Sequence, residues 1–303
     1  MSNNYYNEIK NELINNEVYK RVKDYSKNKN ELSTYYNVGK LLIEAQGGED
    51  KAKYGNALIK EYSEKLTNEI GRGYTFSALS RMRQFYLLSE KIATLSQHLT
   101  WSHYCELLVF DNVDEINYYI KQTEVYNLSV RQLREKIKSK EYQRLDNNTK
   151  LKLINKEETV VSDFIKNPIV IRNKYNIDKE SITEKILQRL ILEDIPSFLK
   201  ELGEGFTFVK NEYKIKIGNT YNYIDILLFN YIYNCFVVIE LKVTELKKEH
   251  IGQIQIYMNY VDKNIKTINQ DKTIGVIICK KDSGYYIEYS SDNRIFSKNY
   301  ILS

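Results

Sequence analysis

The chain has 303 residues, 42% of them hydrophobic and 28% charged, which suggests two globular domains with apolar cores. Its 45 basic and 40 acidic residues leave a net charge of +5, a mild balance that permits nucleic-acid binding without demanding it. Three scattered cysteines and three histidines lack the spacing of a disulfide framework or a zinc site, and no window approaches the roughly eighteen apolar residues of a membrane span. The polar residues 1–14 carry no apolar signal core, so the expected location is cytoplasmic. The 27 tyrosines, with abundant Asn, Lys and Ile, follow from the codons of an AT-rich genome.

Residues 1 to about 145 are expected to be helical throughout. Residues 35–45 carry apolar side chains at helical spacing, and 46–50 form a loop. Residues 52–70 place Leu58, Ile59, Tyr62, Leu66 and Ile70 on one helical face. A tight turn at 71–75 follows, and Ser77 can cap a helix over 78–88. Helix, glycine turn and second helix resemble a helix-turn-helix. In that reading Ser77, Ser80, Arg81 and Gln84 face DNA, with Arg72 and Arg83 as further cations. The alternative is an ordinary helical hairpin with a solvated basic face. Residues 99–108 hold the only tryptophan, Trp101, with Leu107 and Leu108 as core; Ser102 and His103 are read as packing residues. Helices are then expected over 113–122 and 129–142. Ser129 and Gln132 form a capping box for the second. Its basic run includes Arg131, Arg134 and Lys138; such runs are usually solvated but can track phosphates.

The turn cluster 146–149, the charged stretch 150–158 and Asn167-Pro168 mark a linker with short packed pieces at Phe164 and 169–171. A helix is expected from 181 to Gly203. Strands follow over 206–210, 212–217 and 221–229, with a turn at Gly218-Asn219. After a five-residue loop, 230–234, comes a strand over 236–243 and a helix over about 247–262. Strands at 273–279 and 285–289 complete an α/β core around a central sheet.

Two of these apolar strands contain charges. Asp225 lies near the start of one, and Glu240 and Lys242 near the end of the next. A charge inside a buried strand is costly unless it is paired or binds a metal. Glu240 and Lys242 are two apart and share one strand face. With Asp225 they form an oxygen-rich cation site beside an ammonium, with the two carboxylates expected to share one divalent ion. Hard cations such as magnesium select carboxylate and water ligands. Such an ion activates water and clamps phosphate oxygens, while a lysine steadies transition-state charge.

The spacing of Asp225, fourteen intervening residues and Glu240-Leu241-Lys242 resembles the signature of PD-(D/E)XK nucleases, with Ile224 where proline often stands. Gln253 and Tyr257, four apart on the following helix, resemble the RecB-like branch. Beyond these motifs, residues 202–242, 249–262, 274–279, 287–290, 35–46, 73–86, 99–108 and 128–137 resemble the bacterial YhcG-like nuclease family. The resemblance implies an all-α, DNA-binding N-terminal domain over 1–146, a linker over 147–180 and a PD-(D/E)XK nuclease domain over 181–303. That C-terminal domain is expected to be α/β and restriction-endonuclease-like, with a central mixed sheet. It also implies a catalytic set of Asp225, Glu240, Lys242 and Gln253, with Asp225 and Glu240 holding Mg2+ or Mn2+. Glu249 and Gly252 match the family's glutamate and glycine. Gln188 falls where related chains often carry a glutamate, which leaves Glu184 or Glu193 to supply a further acid. The implied partner is duplex or branched DNA, with a homodimer to cut two strands and restriction or phage-defence partners by kinship. The alternatives are a non-catalytic DNA-binding or assembly protein that keeps the nuclease fold, and a nuclease acting on RNA.

Overall fold

Long amphipathic segments without proline carry the first unit, Met1–Tyr142. In the computed structural model, which describes residues 2–21, 27–48, 56–92, 95–96, 98–281 and 285–303, these segments form seven described helices. They are α1 (Ser2–Arg21), α2 (Lys27–Ala45), α3 (Asn56–Ile70), α4 (Phe76–Lys91), α5 (Trp101–Leu107), α6 (Val113–Tyr126) and α7 (Val130–Lys138). Of the helix expected over 52–70, the part over 52–55 lies outside the described residues. Leu42, Ile59, Tyr62, Leu66, Leu79, Phe85 and Tyr104 fill the core. Trp101 packs its ring on Tyr35 and Phe85. Gly39 lets α2 and α4 touch, because a Cβ there would collide with the Met82 carbonyl oxygen.

Two local expectations shift. Thr75, not Ser77, caps α4, its hydroxyl accepting from the Ala78 N–H, so the helix starts two residues early. The Ser129–Gln132 capping box forms, but α7 stops at Lys138 rather than Tyr142. Lys140 has a φ of 53°, a left-handed conformation that turns the chain out of the helix.

The second unit, Gln143–Ser303, is built on six strands: β1 (Ile169–Ile171), β2 (Phe206–Ile217), β3 (Thr220–Asn230), β4 (Cys235–Glu245), β5 (Asp271–Lys281) and β6 (Ile295–Leu302). Their order in the sheet is β1-β6-β5-β4-β3-β2. The hairpins β2–β3 and β3–β4 are antiparallel; β4, β5, β6 and β1 run parallel. Around them lie α8 (Asn147–Asn155), α9 (Glu184–Glu193), α10 (Ile195–Leu202), α11 (Lys248–Asn264) and the short α12 (Tyr285–Glu288). Leu187, Leu190, Ile191 and Phe198 of α9 and α10 cover one face of the sheet; Ile254, Tyr257, Met258 and Val261 of α11 cover the other. Both faces are buried, which is why β4 is an almost unbroken apolar run. Gly275 sets the approach of α11, since a Cβ there would lie 2.6 Å from the Met258 sulfur.

Tertiary pairing overrides several local expectations. The helix expected over 181–203 breaks at Asp194, whose carboxylate caps α10 by accepting from the Ser197 N–H; Pro196, with no N–H to give, fits only at the new helix start. The two strands expected over 206–217 are one, with a register shift between Phe208 and Lys210. The expected strand 285–289 is the helix α12, and the last strand is β6 instead. The segment 147–180 supplies α8 and the parallel edge strand β1 to this unit. Buried Lys298 of β6 is neutralised by Asp146.

Candidate active site

β3 and β4 pair from Asn230↔Cys235 to Ile226↔Ile239. Asp225 and Glu240 stand one rung further, where that ladder ends. There the Leu241 N–H donates to the Asp225 carboxylate, Oδ2, at 2.8 Å. The aspartate thus closes the backbone hydrogen bonding that the strand partner no longer supplies. Glu240 is 2% exposed. Its Oε1 accepts from the Lys242 ammonium at 2.8 Å. Its Oε2 is buried and has no hydrogen-bond partner among the described residues, an arrangement that costs about 1–3 kcal/mol unless something else satisfies it.

Helix α9 brings the remaining groups. Thr183 caps it by accepting from the Ile186 N–H, which sets Glu184 at its first position. The Glu184 carboxylate lies 3.4 Å from the Lys242 ammonium. One turn later, buried Gln188 donates to the Asp225 backbone carbonyl at 2.9 Å. Glu193 sits at the far end of α9, paired with Arg189. Of the two acids left open by the sequence, Glu184 therefore faces the charged cluster. Glutamine at 188 holds the strand backbone rather than adding a charge.

On the opposite side, Gln253 of α11 donates to the Tyr257 hydroxyl at 3.0 Å. Tyr257 is buried, close enough to Glu240 and Asp225 for their charges to raise its pKa further after burial has done so. Gln253 itself makes no hydrogen bond to Asp225, Glu240 or Lys242 among the described residues. Glu249 is exposed beside Lys247, and Gly252 has open space where a Cβ would stand. His250 is buried at the start of α11, where its Nδ1 accepts from the Lys247 N–H.

The electrostatics oppose one another. Burial raises the pKa of Asp225. Burial, then the Asp225 charge, raises that of Glu240 to about 7. Burial disfavours the Lys242 ammonium, but Glu240, Glu184 and Asp225 more than offset it and hold its pKa above the ordinary lysine value. Two carboxylates that resist ionisation beside a lysine that keeps its proton form a site short of one positive charge.

A divalent ion fits that shortage. Glu240 Oε2 is an oxygen ligand with no hydrogen-bond donor among the described residues, and the other candidate ligands are carboxylate oxygens, which a hard cation selects. Among the described residues no group of three or more His, Cys, Asp or Glu side chains forms a ready-made metal cage. Protein ligation would thus come from Asp225 and Glu240, with water completing the shell as magnesium prefers.

The first unit holds the other candidate residues. Arg72, Ser77 and Arg81 are exposed, as is Gln84, while Ser80 is half-buried. Arg83 is half-buried; it donates to the Gln46 side chain at 3.4 Å, and burial lowers its pKa. Arg134 grips Glu106 of α5 through two hydrogen bonds. Arg134, Arg81 and Lys138 together hold Glu106 below the usual carboxylate range. Three cations from α4 and α7 thus converge on one helix, a grouping that no local spacing shows. Arg131 extends into solvent beside Glu135. His103 is buried, one nitrogen against Thr100 and the other against the Leu128 carbonyl, as expected of a packing residue.

Comparison with known proteins decides the kinship. Residues 162–302 match the YhcG PDDEXK nuclease domain, and residues 11–144 match the DUF1016 N-terminal domain. Side by side, the two matches span most of the chain and make it similar to the YhcG-like nuclease family. A relative from Escherichia coli (strain K12), named Putative nuclease YhcG, is 27% identical over 310 residues, 88% of this chain and 82% of that protein. Among solved structures, a repair endonuclease from Pyrococcus abyssi matches with a TM-score of 0.29 and 16% identity, over 39% of this chain and 47% of its own. A complex of EndoMS with double-stranded DNA matches at 0.30 and 19%, over 41% and 48%. In this YhcG-like chain the second unit is a PD-(D/E)XK-type nuclease domain of restriction-endonuclease-like α/β class, and the region before it is helical. A domain of this type hydrolyses phosphodiester bonds. Among the described residues no helix is long and apolar enough to cross a membrane.

Proposed function

We propose that this chain is a divalent-metal endonuclease acting on DNA, with Asp225, Glu240, Lys242 and Gln253 as its catalytic set and the helical residues 1–146 docking the duplex. The observation that carries the reading is the buried Oε2 of Glu240, without a hydrogen-bond partner among the described residues, beside the Lys242 ammonium and one rung beyond the last β3–β4 pair. A binding module has no use for such a costly charge. Asp225 and Glu240 would hold Mg2+ or Mn2+. When bound, such an ion lowers the pKa of a coordinated water and draws charge from the phosphate oxygens.

The residues of the chain supply the rest. Glu240 and Glu184 anchor Lys242 in its charged form, so that its ammonium meets the negative charge that builds on the phosphoryl group. Gln188 and the Leu241 N–H fix the backbone and carboxylate of Asp225. Gln253 and Tyr257 form a paired polar edge on the α11 side. Arg72, Ser77, Arg81, Arg131, Arg134 and Lys138 are the contacts proposed in the first unit. The convergence of Arg81, Arg134 and Lys138 supports a phosphate-binding surface there. Two copies would be needed to cut both strands of a duplex at one place.

The test is cleavage by the purified full chain of duplex, branched and single-stranded DNA and of RNA, with magnesium, with manganese and with chelator. Metal-dependent cutting of duplex or branched DNA is the expected result. Absence of metal-dependent cutting on every substrate would leave a binding protein that keeps the nuclease fold; cutting of RNA alone would reassign the substrate.

A further inference from the structure

β3 leaves β4 at Ile226 but stays paired with β2 down to Thr220. The hairpin therefore continues as a two-stranded arm, residues 213–217 against 220–224, closed by the turn at Gly218, whose φ is 59°. One side of the arm is apolar. Ile215 and Ile224 are 1% and 0% exposed and pack with Leu246 and the inner side of α11. The other side is polar and aromatic. Lys214 pairs with Tyr223 across the ladder and Lys216 with Tyr221; directly opposed residues lie on the same side.

All four are exposed, the two tyrosines at 54% and 51%. The Lys214 ammonium sits 3.8 Å from the centre of the Tyr221 ring, and that of Lys216 6.0 Å from it. A ring beneath a lysine restrains its stem, so less rotamer freedom remains to be lost when the ammonium meets an anion. Neither ammonium forms an ion pair among the described residues, unlike Lys152, Lys242 and Lys298 of the same unit. Tyr223 and Tyr221 precede Asp225 by two and four residues, about 7 and 13 Å along a strand. The arm thus continues the strand that carries a proposed metal ligand.

We propose that the side formed by Lys214, Lys216, Tyr221 and Tyr223 grips the phosphates of a DNA duplex on one flank of the bond held at Asp225 and Glu240. The proposal rests on the nuclease reading above. Its chemistry is charge complementarity: two unneutralised ammoniums and two phenol hydroxyls, all donors, meet phosphate oxygens. The opposite, apolar side keeps the arm fixed to α11, so the donors are presented on a rigid element.

The experiment compares the full chain with the double variant Lys214→Ala, Lys216→Ala and with a control, Lys263→Ala, Lys272→Ala. The control lysines are exposed and stand at the far end of α11 and the start of β5, away from Glu240. Fluorescence anisotropy of a labelled duplex is followed against salt in chelator, and cleavage kinetics are followed in magnesium. The arm variant, with a wild-type melting curve, should lower the slope of log affinity against log salt by about 1.8, two phosphates at about 0.9 each. KM should rise about tenfold with kcat unchanged, and the control pair should keep the wild-type slope. An arm variant with the wild-type slope and KM overturns the proposal, as does a control that lowers the slope equally. A wild-type chain that binds DNA but never cuts it refutes the nuclease reading, and the salt slopes still decide the arm.

Discussion

Replacing Glu240 with glutamine, in protein stripped of metal by a chelator, should stabilise the second unit at pH 8.5 and leave it nearly unchanged near pH 5. Glu240 is 2% exposed, and its Oε2 has no donor among the described residues. Burial, then the neighbouring charge of Asp225, lifts its pKa from an ordinary 4.5 to about 7. A carboxyl raised in this way binds its proton more tightly in the folded chain than in the unfolded one. Its contribution to stability is therefore fully present below about 4.5 and is lost as pH rises through about 7. At 1.36 kcal/mol per pH decade the loss is roughly 3 kcal/mol. Glutamine has the same shape and no charge to bury, so the variant escapes that loss. For a unit of this size, roughly 3 kcal/mol corresponds to about 5–10 °C in the melting temperature. The assay is thermal unfolding of both chains across pH 5 to 8.5, with chelator and with magnesium. Magnesium should raise the wild-type melt at pH 8.5, because a ligand of the folded state stabilises it, and should barely move the variant. A Glu240→Gln chain that melts below wild type at pH 8.5 in chelator would show that the Lys242 ion pair outweighs the cost of the buried charge, and the reasoning fails.

Lys242→Ala should lower kcat by a hundredfold or more while duplex affinity stays near wild type, since its ammonium acts where charge develops; single-turnover cleavage and anisotropy separate the two effects. Glu184→Gln removes one anchor of that ammonium and should lower kcat several-fold with KM unchanged, whereas Glu193→Gln, remote from the cluster, should leave both constants alone. In the first unit, Arg81→Ala with Lys138→Ala should lower the salt slope of duplex binding by about 1.8. Arg83→Ala should leave the slope unchanged and lower the melting temperature instead, because its side chain is turned towards Gln46.

What the linear order of residues determined is the part of this protein set by near neighbours. Short apolar runs rich in Ile, Val, Leu and aromatics marked β3 and β4, and a charge inside such a run marked Asp225, Glu240 and Lys242, because burial makes that charge expensive wherever the strand lies. The Ser129 cap and the helix bearing Gln253 and Tyr257 were legible for the same reason, since each interaction spans three or four residues. What depends on distant pairing was not. β6 has a weak pattern of its own and exists as a strand because β5 and β1 give it backbone partners and Asp146 neutralises Lys298. The segment 285–289, with its three tyrosines, suggested a strand, but among the described residues it pairs with no strand and its first four residues form α12. Glu184 and Glu193 are equivalent candidates in sequence. Only the packing of α9 on β3 and β4 carries the first to Lys242 and leaves the second with Arg189. The convergence of Arg81, Arg134 and Lys138 on Glu106, and the arm that continues β3 beyond β4, likewise arise where separate elements meet, and a single stretch of chain holds no record of that meeting.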